Sequence, residues 1–394
     1  MNVATAPSAD WVTLDALIDD PYPVYDRLRA LGPVVHAPHF GIHIVTSFDG
    51  CRIVEADRER FEEDGNALRA AMGEVMLSKG DPEHARERAA VNPALRPKAI
   101  AEVWRAHFET NAARALERFR ALGPGADFNT GFALPYAAMN LGVVVGLPNV
   151  PWETLQRWSL TFIAAVAKQA QGDLERFADN DTANSEADAA IDRRVAELAG
   201  RPDASMISMM IAAGLPPDLI RANAKLAISG GINEPQHVLT TGIYALAAYP
   251  DQLAAVRAGT ATYAQVFDEA VRWISPIQSQ LRRARVDAEV HGVVIPAGSP
   301  VWVLLGAANR DPGHFDRPEQ FIVSRPRKPH LAFGSGIHMC AGSWAARSSA
   351  EVAWPLLYDA LPGLTPVDSD ARFHGFFFRG LPQLPVTWAV DTNE

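Results

Sequence analysis

Between residues 101 and 262 the chain spaces its apolar side chains at helical intervals in four long stretches, 101–122, 151–171, 183–199 and 217–249. These stretches are rich in Ala, Leu, Arg and Glu, residues that lose little side-chain freedom in a helix. Each presents an apolar face that must be covered by a neighbour. The predicted fold class is therefore mainly α, a large helical body. A smaller β-rich region is expected beside it. Its strands are 34–36 and 43–45, meeting near Gly41, and a strand-and-turn stretch over 286–305 that contains Val293-Val294-Ile295-Pro296-Ala297-Gly298. A short helix over 23–31, an irregular proline-rich loop over 309–329 and a late hairpin in the aromatic tail 373–390 complete the expected elements. No repeat or linker marks a boundary, so residues 1–394 are expected to form one domain.

Composition narrows the function. With 48% hydrophobic residues the chain can bury a large core, and a net charge of −10 argues against general attraction to nucleic acid or anionic lipid. Two cysteines, Cys51 and Cys340, are too few for a disulfide framework. Residues 1–23 lack the basic-then-apolar order of a targeting segment, and eighteen apolar residues never run together. A cytoplasmic protein that does not span a membrane is expected.

One cysteine stands in a loop with its own chemistry. The run FGSGIHMCAG extends from Phe333 to Gly342. A thiolate is a soft, strong ligand for iron, and the flanking glycines let a backbone approach a flat macrocycle closely. A helix predicted from Trp344 onward puts Cys340 near a helix N-terminus, which favours the thiolate. The pattern Phe-x-x-Gly-x-His-x-Cys-x-Gly, filled by Phe333, Gly336, His338, Cys340 and Gly342, resembles the haem-binding signature of the cytochrome P450 family. The resemblance implies the cytochrome P450 fold, haem b as cofactor, Cys340 as its metal ligand and Phe333 beside it. Cys51 has no comparable context and reads as packing.

Three further segments resemble the family in the same order along the chain. Glu269 and Arg272, one helical turn apart, match its Glu-x-x-Arg pair and imply a buried network with Arg325 behind the cysteine loop. Residues 308–321 look like the irregular segment that leads to that arginine. Asp81-Pro82-Glu83-His84, followed by Arg88, resembles the helix that reaches the haem propionates. Two negative propionates need paired donors, and His84, Arg88, Arg282 and His330 are the residues implied. Arg282 is preferred to Arg283 on its distance from Gly292. Arg86, Arg88, Arg96, Lys98, Arg327 and Lys328 are expected to make a basic cysteine-side face for an acidic electron donor.

The stretch Ser229 to His237 departs from the family. Where most members place an acid followed by Thr, this chain has Asn233 and then Glu234, with Pro235 next. Gly230 and Gly231 leave space for oxygen or substrate, and a carboxyl buried there would have a raised pKa and could relay protons itself. Gly230, Asn233 and Glu234 are the expected catalytic set.

Gly-x-x-Glu-Pro is similar to the arrangement in bacterial aryl-ether O-demethylases acting on guaiacol-type aromatics. Gly375-Phe376-Phe377-Phe378-Arg379-Gly380 and Trp273-Ile274-Ser275-Pro276-Ile277 resemble them too. This likeness implies O2 as co-substrate, a small hydrophobic or aromatic substrate, and electrons from a separate reductase carrying FAD and [2Fe–2S], or from a ferredoxin. Ala71 and Val166 stand where those enzymes place aromatic rings, so a roomier pocket is expected, touched by Leu77, Val166, Ile277 and Phe378. Other readings are hydroxylation of a terpenoid or fatty acid, peroxide-driven turnover, and a haem-binding sensor without turnover.

Overall fold

Strand alternation organises one part of the molecule and helix faces the other. The computed structural model describes residues 5–63, 65–170, 178–368 and 371–390. Position 171, the end of one expected helix, lies outside them. The chain divides into two compact units, the first from Met1–Asp64, Thr240–Cys340 and Asp368–Leu384, the second from Gly65–Leu239, Ala341–Val367 and Pro385–Glu394.

The first unit is built on a five-stranded sheet. Strands β1 (Val34–Ala37), β2 (Ile42–Val45), β3 (Phe61–Glu63) and β4 (Gln280–Ala284) join β7 (Pro300–Val303) in the order β1-β2-β7-β4-β3. The strands β5 (Ala288–Val290) and β6 (Val293–Ile295) form a separate hairpin turned at Gly292, whose φ is +80°. Successive side chains leave a strand on opposite faces. Val34, Val45, Val301 and Val303 accordingly pack with Phe48, Cys51 and Leu331, while Val35, Ile44 and Trp302 pack with Tyr25, Leu28 and Phe376. Cys51 is fully buried in the first of these clusters, and burial pushes its thiol pKa up.

The early helix runs Pro21–Leu31, two residues longer than expected, because the Asp20 side chain caps the amide of Tyr22. The 309–329 loop contains no helix or strand, and side chains hold it instead. Glu269, on the helix Tyr263–Ile274, takes both Nε and Nη2 of Arg272 at 2.7 Å, Nε of Arg325 at 3.2 Å and the amide of Ile322 at 2.8 Å. Arg272 in turn donates to the carbonyls of Asn309, Pro318 and Gln320. The tail corrects the sequence expectation. Residues 373–390 do not fold as a hairpin of their own. A single bridge, His374 to Gly380, closes a turn, while β9 (Val386–Thr387) pairs with β8 (Thr365–Pro366) in the second unit. The reason is local: Pro382 and Pro385 have no amide to donate to a ladder, and the Arg379 guanidinium collects the carbonyls of Ile18, Asp19, Phe373 and Gly375.

The second unit is helical. It contains Glu83–Leu95, Arg105–Leu122, Leu134–Val145, Trp152–Ala170, Ala178–Leu198, Met206–Ala212, Pro217–Gly230 and Ser343–Ala360, together with the start of Asn233–Ala248. The helix Leu134–Val145 falls inside the helical body expected over 101–262 but between its named stretches; it is buried on nearly every side, so it carries no polar stripe. One expectation needs correction. The stretch 217–249 is two helices, not one: Pro217–Gly230 ends before Asn233–Ala248 begins. Pro235 has no amide for the carbonyl of Gly231, and its ring would crowd that carbonyl in a continuous helix. Gly231 is itself forced, since a Cβ there would lie 2.4 Å from Leu141 Cδ1 and 2.6 Å from the Ala227 carbonyl.

Glu269→Ala strands two arginines in the interior and should cost about 3–5 kcal/mol. Asp192→Ala, at a surface pair 2.8 Å from Arg221, should cost less than about 1 kcal/mol. Chemical denaturation of both variants checks the contrast, and similar losses would contradict it.

Candidate active site

The cysteine loop is shaped by what lies under it. Gly334 and Gly336 have φ of +66° and +71°. A Cβ on Gly336 would sit 3.0 Å from the Glu55 carbonyl, and one on Gly334 would sit 3.2 Å from Gln280 Nε2. The loop therefore lies directly on the helix Phe48–Ala56 and on β4. The Cys340 amide donates to the Phe333 carbonyl at 2.9 Å, which leaves Cys340 exposed at the end of a closed turn. Gly342, two residues on, caps the helix Ser343–Ala360. Phe333 stacks on Phe267 with centroids 6.2 Å apart and lies 5.8 Å from the His330 ring. Asn309 anchors the start of the loop: its Oδ1 accepts from the Leu331 amide at 2.7 Å and its Nδ2 donates to Ser275 Oγ at 2.8 Å.

Among the described residues, no three His, Cys, Asp or Glu side chains gather as a metal cluster. A metal at Cys340 would thus need further ligands from a group that brings its own, and a porphyrin does so. One exposed thiol on a glycine-shaped loop fits that donor set.

Arg282 is buried on β4, whereas its neighbour Arg283 turns outward to the Gly298 carbonyl at 3.0 Å. The Arg282 guanidinium is already engaged. Nη1 lies 2.8 Å from Glu63 Oε2, Nη2 lies 3.6 Å from Glu55 Oε1, and Nη2 also donates to Gln280 Oε1 at 2.7 Å. His338 Nε2 stands 3.5 Å from Glu63 Oε1. Burial pushes the Glu63 pKa up to about 7; Arg282 opposes the rise and the Glu55 charge adds to it. Burial also raises Glu55, against Arg282 and Ser335. Sequence reasoning missed both acids. The signal was available only in the pairing of an acidic strand with a basic one, since Glu62 and Glu63 face Arg283 and Arg282 across β3 and β4.

The other expected cofactor contacts, His84 and Arg88, belong to the second unit. His84 is buried with Nδ1 3.4 Å from Asp81 Oδ1, and Arg88 Nε donates to Asn92 Oδ1 at 3.0 Å.

The expected catalytic set, Gly230, Asn233 and Glu234, also lies in the second unit. Gly230 closes its helix with open space where a Cβ would point. Immediately beyond, the first turn of Asn233–Ala248 carries three buried polar atoms without a hydrogen-bond partner: Asn233 Nδ2, Glu234 Oε2 and His237 Nδ1. Glu234 keeps some accessible side-chain surface, but Oε2 itself is buried, so the carboxyl head experiences the desolvation. Burial pushes its pKa up to about 8 and drives that of His237 down to about 4. Gln236, between them, is satisfied by Asn129 Oδ1 at 2.9 Å. His237 had no role in the sequence reading, although its place one turn after Glu234 was visible.

Of the expected substrate contacts, Ile277 and Phe378 meet in an antiparallel bridge in the first unit. In the second, Leu77 lies half-buried in the turn Met76–Ser78, Val166 half-buried on Trp152–Ala170, and Ala71 is buried with its carbonyl accepting from Asn180 and Asn184. Arg86, Arg96, Lys98, Arg327 and Lys328 are exposed and Arg88 is half-buried.

The Cytochrome P450 family model matches residues 160–357. Cytochrome P450-SOY of Streptomyces griseus is 30% identical over 80% of this chain and 76% of its own. The chain belongs to the cytochrome P450 family. The Biotin biosynthesis cytochrome P450 of Bacillus subtilis is 27% identical over 94% of this chain and 97% of its own. The crystal structure of P450BioI in complex with hexadec-9Z-enoic acid ligated Acyl Carrier Protein superposes with a TM-score of 0.84 at 26% identity, covering 96% of this chain and all of that one. As a cytochrome P450 monooxygenase the protein works with haem b and O2, and the family takes electrons from separate redox partners and acts on small substrates. Among the described residues, no helix is long and apolar enough to cross a membrane.

The orphaned carboxyl has a pH signature. Glu234 keeps its proton in the folded state up to about 8 against an ordinary 4.5, so stability falls as pH rises between those values. Glu234→Gln carries no such penalty. Its melting temperature should exceed the parent's by a margin that widens from about pH 5 to about pH 8. A constant margin in paired melts at the two pH values would contradict the burial of this group.

Proposed function

We propose that the protein is a haem-thiolate monooxygenase that removes a methyl group from an alkoxy aromatic, giving a phenol and an aldehyde. One observation carries this reading: the position usually held by Thr is Glu234, whose buried Oε2 is unpartnered just before Pro235. That placement supports the likeness to guaiacol-type O-demethylases, and the aromatic tail with Phe378 against Ile277 adds to it.

Bound haem would supply oxygen activation and insertion of one oxygen atom into a C–H bond. In our reading this chain's residues do the rest. Cys340 would donate its thiolate to the iron, and Phe333 would lie against the cofactor. By the family resemblance, Arg282, His330, His84 and Arg88 would answer the propionate charges. Glu269, Arg272 and Arg325 hold the segment leading into the cysteine loop. Glu234, neutral below about pH 8, can deliver a proton from its carboxyl, with Asn233 Nδ2 free to orient a water or the substrate. Gly230 leaves the space that a side chain would take.

Leu77, Val166, Ile277 and Phe378 would press the substrate's apolar body into place. Hydroxylation of the methyl carbon beside the ether oxygen gives a hemiacetal; the bond from that carbon to the aryl oxygen then breaks, the hemiacetal hydroxyl gives up its proton as its C=O forms, the aryl oxygen takes up a proton to become the phenol, and the carbon leaves as formaldehyde. Arg86, Arg88, Arg96, Lys98, Arg327 and Lys328 would receive the electron donor, a reductase with FAD and [2Fe–2S] or a ferredoxin. A cytoplasmic setting would keep Cys340 reduced.

Fatty-acyl hydroxylation is a second reading, favoured by the small side chains at Ala71 and Val166 and by the fatty-acid-ligated carrier protein bound to the P450BioI relative. Spectral titration with methoxybenzenes, terpenes and fatty acids separates the two. The O-demethylation reading expects type I shifts, with the Soret band moving to higher energy, with methoxybenzenes and formaldehyde matching NADH consumed, whereas silence from every methoxyarene with a response to fatty acids would replace it. Glu234→Ala should lower product formation by roughly 10²-fold while NADH consumption persists. Full coupling in that variant would remove Glu234 from proton delivery.

A further inference from the structure

Beside the cysteine loop the first unit sets two carboxyl groups against one buried guanidinium. Two carboxylates, Glu55 and Glu63, share the single guanidinium of Arg282, at 3.6 and 2.8 Å. Glu55 is also hydrogen-bonded by Ser335 Oγ at 3.1 Å, a residue of the loop itself. The arrangement is set by strand register. Glu63 faces Arg282 across β3 and β4, so their side chains share one side of the sheet. Its neighbour Glu62 points the other way, 3.6 Å from the exposed Arg285. A haem propionate approaching Arg282 would therefore meet a guanidinium whose Nη1 is already held by an internal carboxylate.

We propose that Glu63 is the resident counter-anion of Arg282 and competes with a haem propionate for its guanidinium, so that it weakens haem retention when ionised. The inference rests on the reading of Arg282 as a propionate partner. The charged and titratable groups facing Glu63 are Arg282 from β4, Glu55 from the helix Phe48–Ala56 and His338 from the cysteine loop. A propionate adds a further negative charge and favours the protonated form of Glu63. As pH rises, Glu63 loses that proton, the cluster becomes more negative, and haem is released faster. His338 faces the same carboxylate, so the pH effect is read as the difference between the parent and a variant altered only at Glu63.

The test is transfer of haem from the holoenzyme to excess apomyoglobin, followed by absorbance at about pH 6 and about pH 8.5. Glu63→Gln is isosteric and keeps a hydrogen-bond acceptor for Arg282. It should release haem at least about fivefold more slowly than the parent at the higher pH, with little difference at the lower. Glu62→Gln should match the parent at both, and Arg282→Gln should release haem faster at both. If Arg282→Gln is fast but Glu63→Gln matches or exceeds the parent rate at the higher pH, the competition is refuted. Arg282→Gln releasing haem at the parent rate would instead refute the propionate reading beneath it. Failure of Glu63→Gln to retain haem at all would overturn the proposal, since it would show that the carboxylate assists binding.

Discussion

A single buried carboxylate, Glu269, receives two guanidinium groups and one backbone amide, and through them it fixes a long segment that has no ladder or helix of its own. Backbone groups buried in an irregular segment need partners as much as those in a sheet do. Here the arginines provide them, turning the carbonyls of Asn309, Pro318 and Gln320 toward Arg272 and those of Arg317 and Gln320 toward Arg325. Asn309 passes the constraint on, because its side chain holds both the amide of Leu331 and the hydroxyl of Ser275. The cysteine loop starts two residues after Leu331, so the position of its thiol depends on an ion network far from it in sequence.

Both candidate chemical centres carry polar groups where burial alone would favour apolar ones. Glu234, Asn233 and His237 each bury an atom that has no hydrogen-bond partner, which costs stability unless a ligand or water completes it. Glu55 and Glu63 crowd one arginine in a setting where two negative charges cannot both be fully compensated. Such sites are stable only because the surrounding core over-determines them. Unsatisfied groups are also what a site needs if its work is to hold a charged cofactor edge or move a proton.

The sequence revealed those parts that depend on neighbours along the chain. Long amphipathic helices, short strands, the glycine-shaped cysteine loop and the Gly-Gly-x-x-Glu-Pro run were all readable from spacing. The parts that depend on distant neighbours were not. Leu134–Val145 is buried all round and so has no periodic contrast to detect. Pro235 marked the break between Gly230 and Asn233 in the sequence, but the need for glycine at 231 came from the side chain of Leu141, which forbids a Cβ there. Glu55 and Glu63 acquire meaning only through the helix Phe48–Ala56 and the pairing of β3 with β4. The tail departed from its aromatic, strand-like composition because its prolines and the buried Arg379 decide its hydrogen bonding.

Ligation of the cofactor by one sulfur is the claim on which the functional account stands. The absorption spectrum of the dithionite-reduced protein under carbon monoxide tests it directly. Axial thiolate should give a Soret band near about 450 nm, lost in Cys340→Ala. Absence of that band from freshly purified parent protein, or its persistence in Cys340→Ala, would contradict the account.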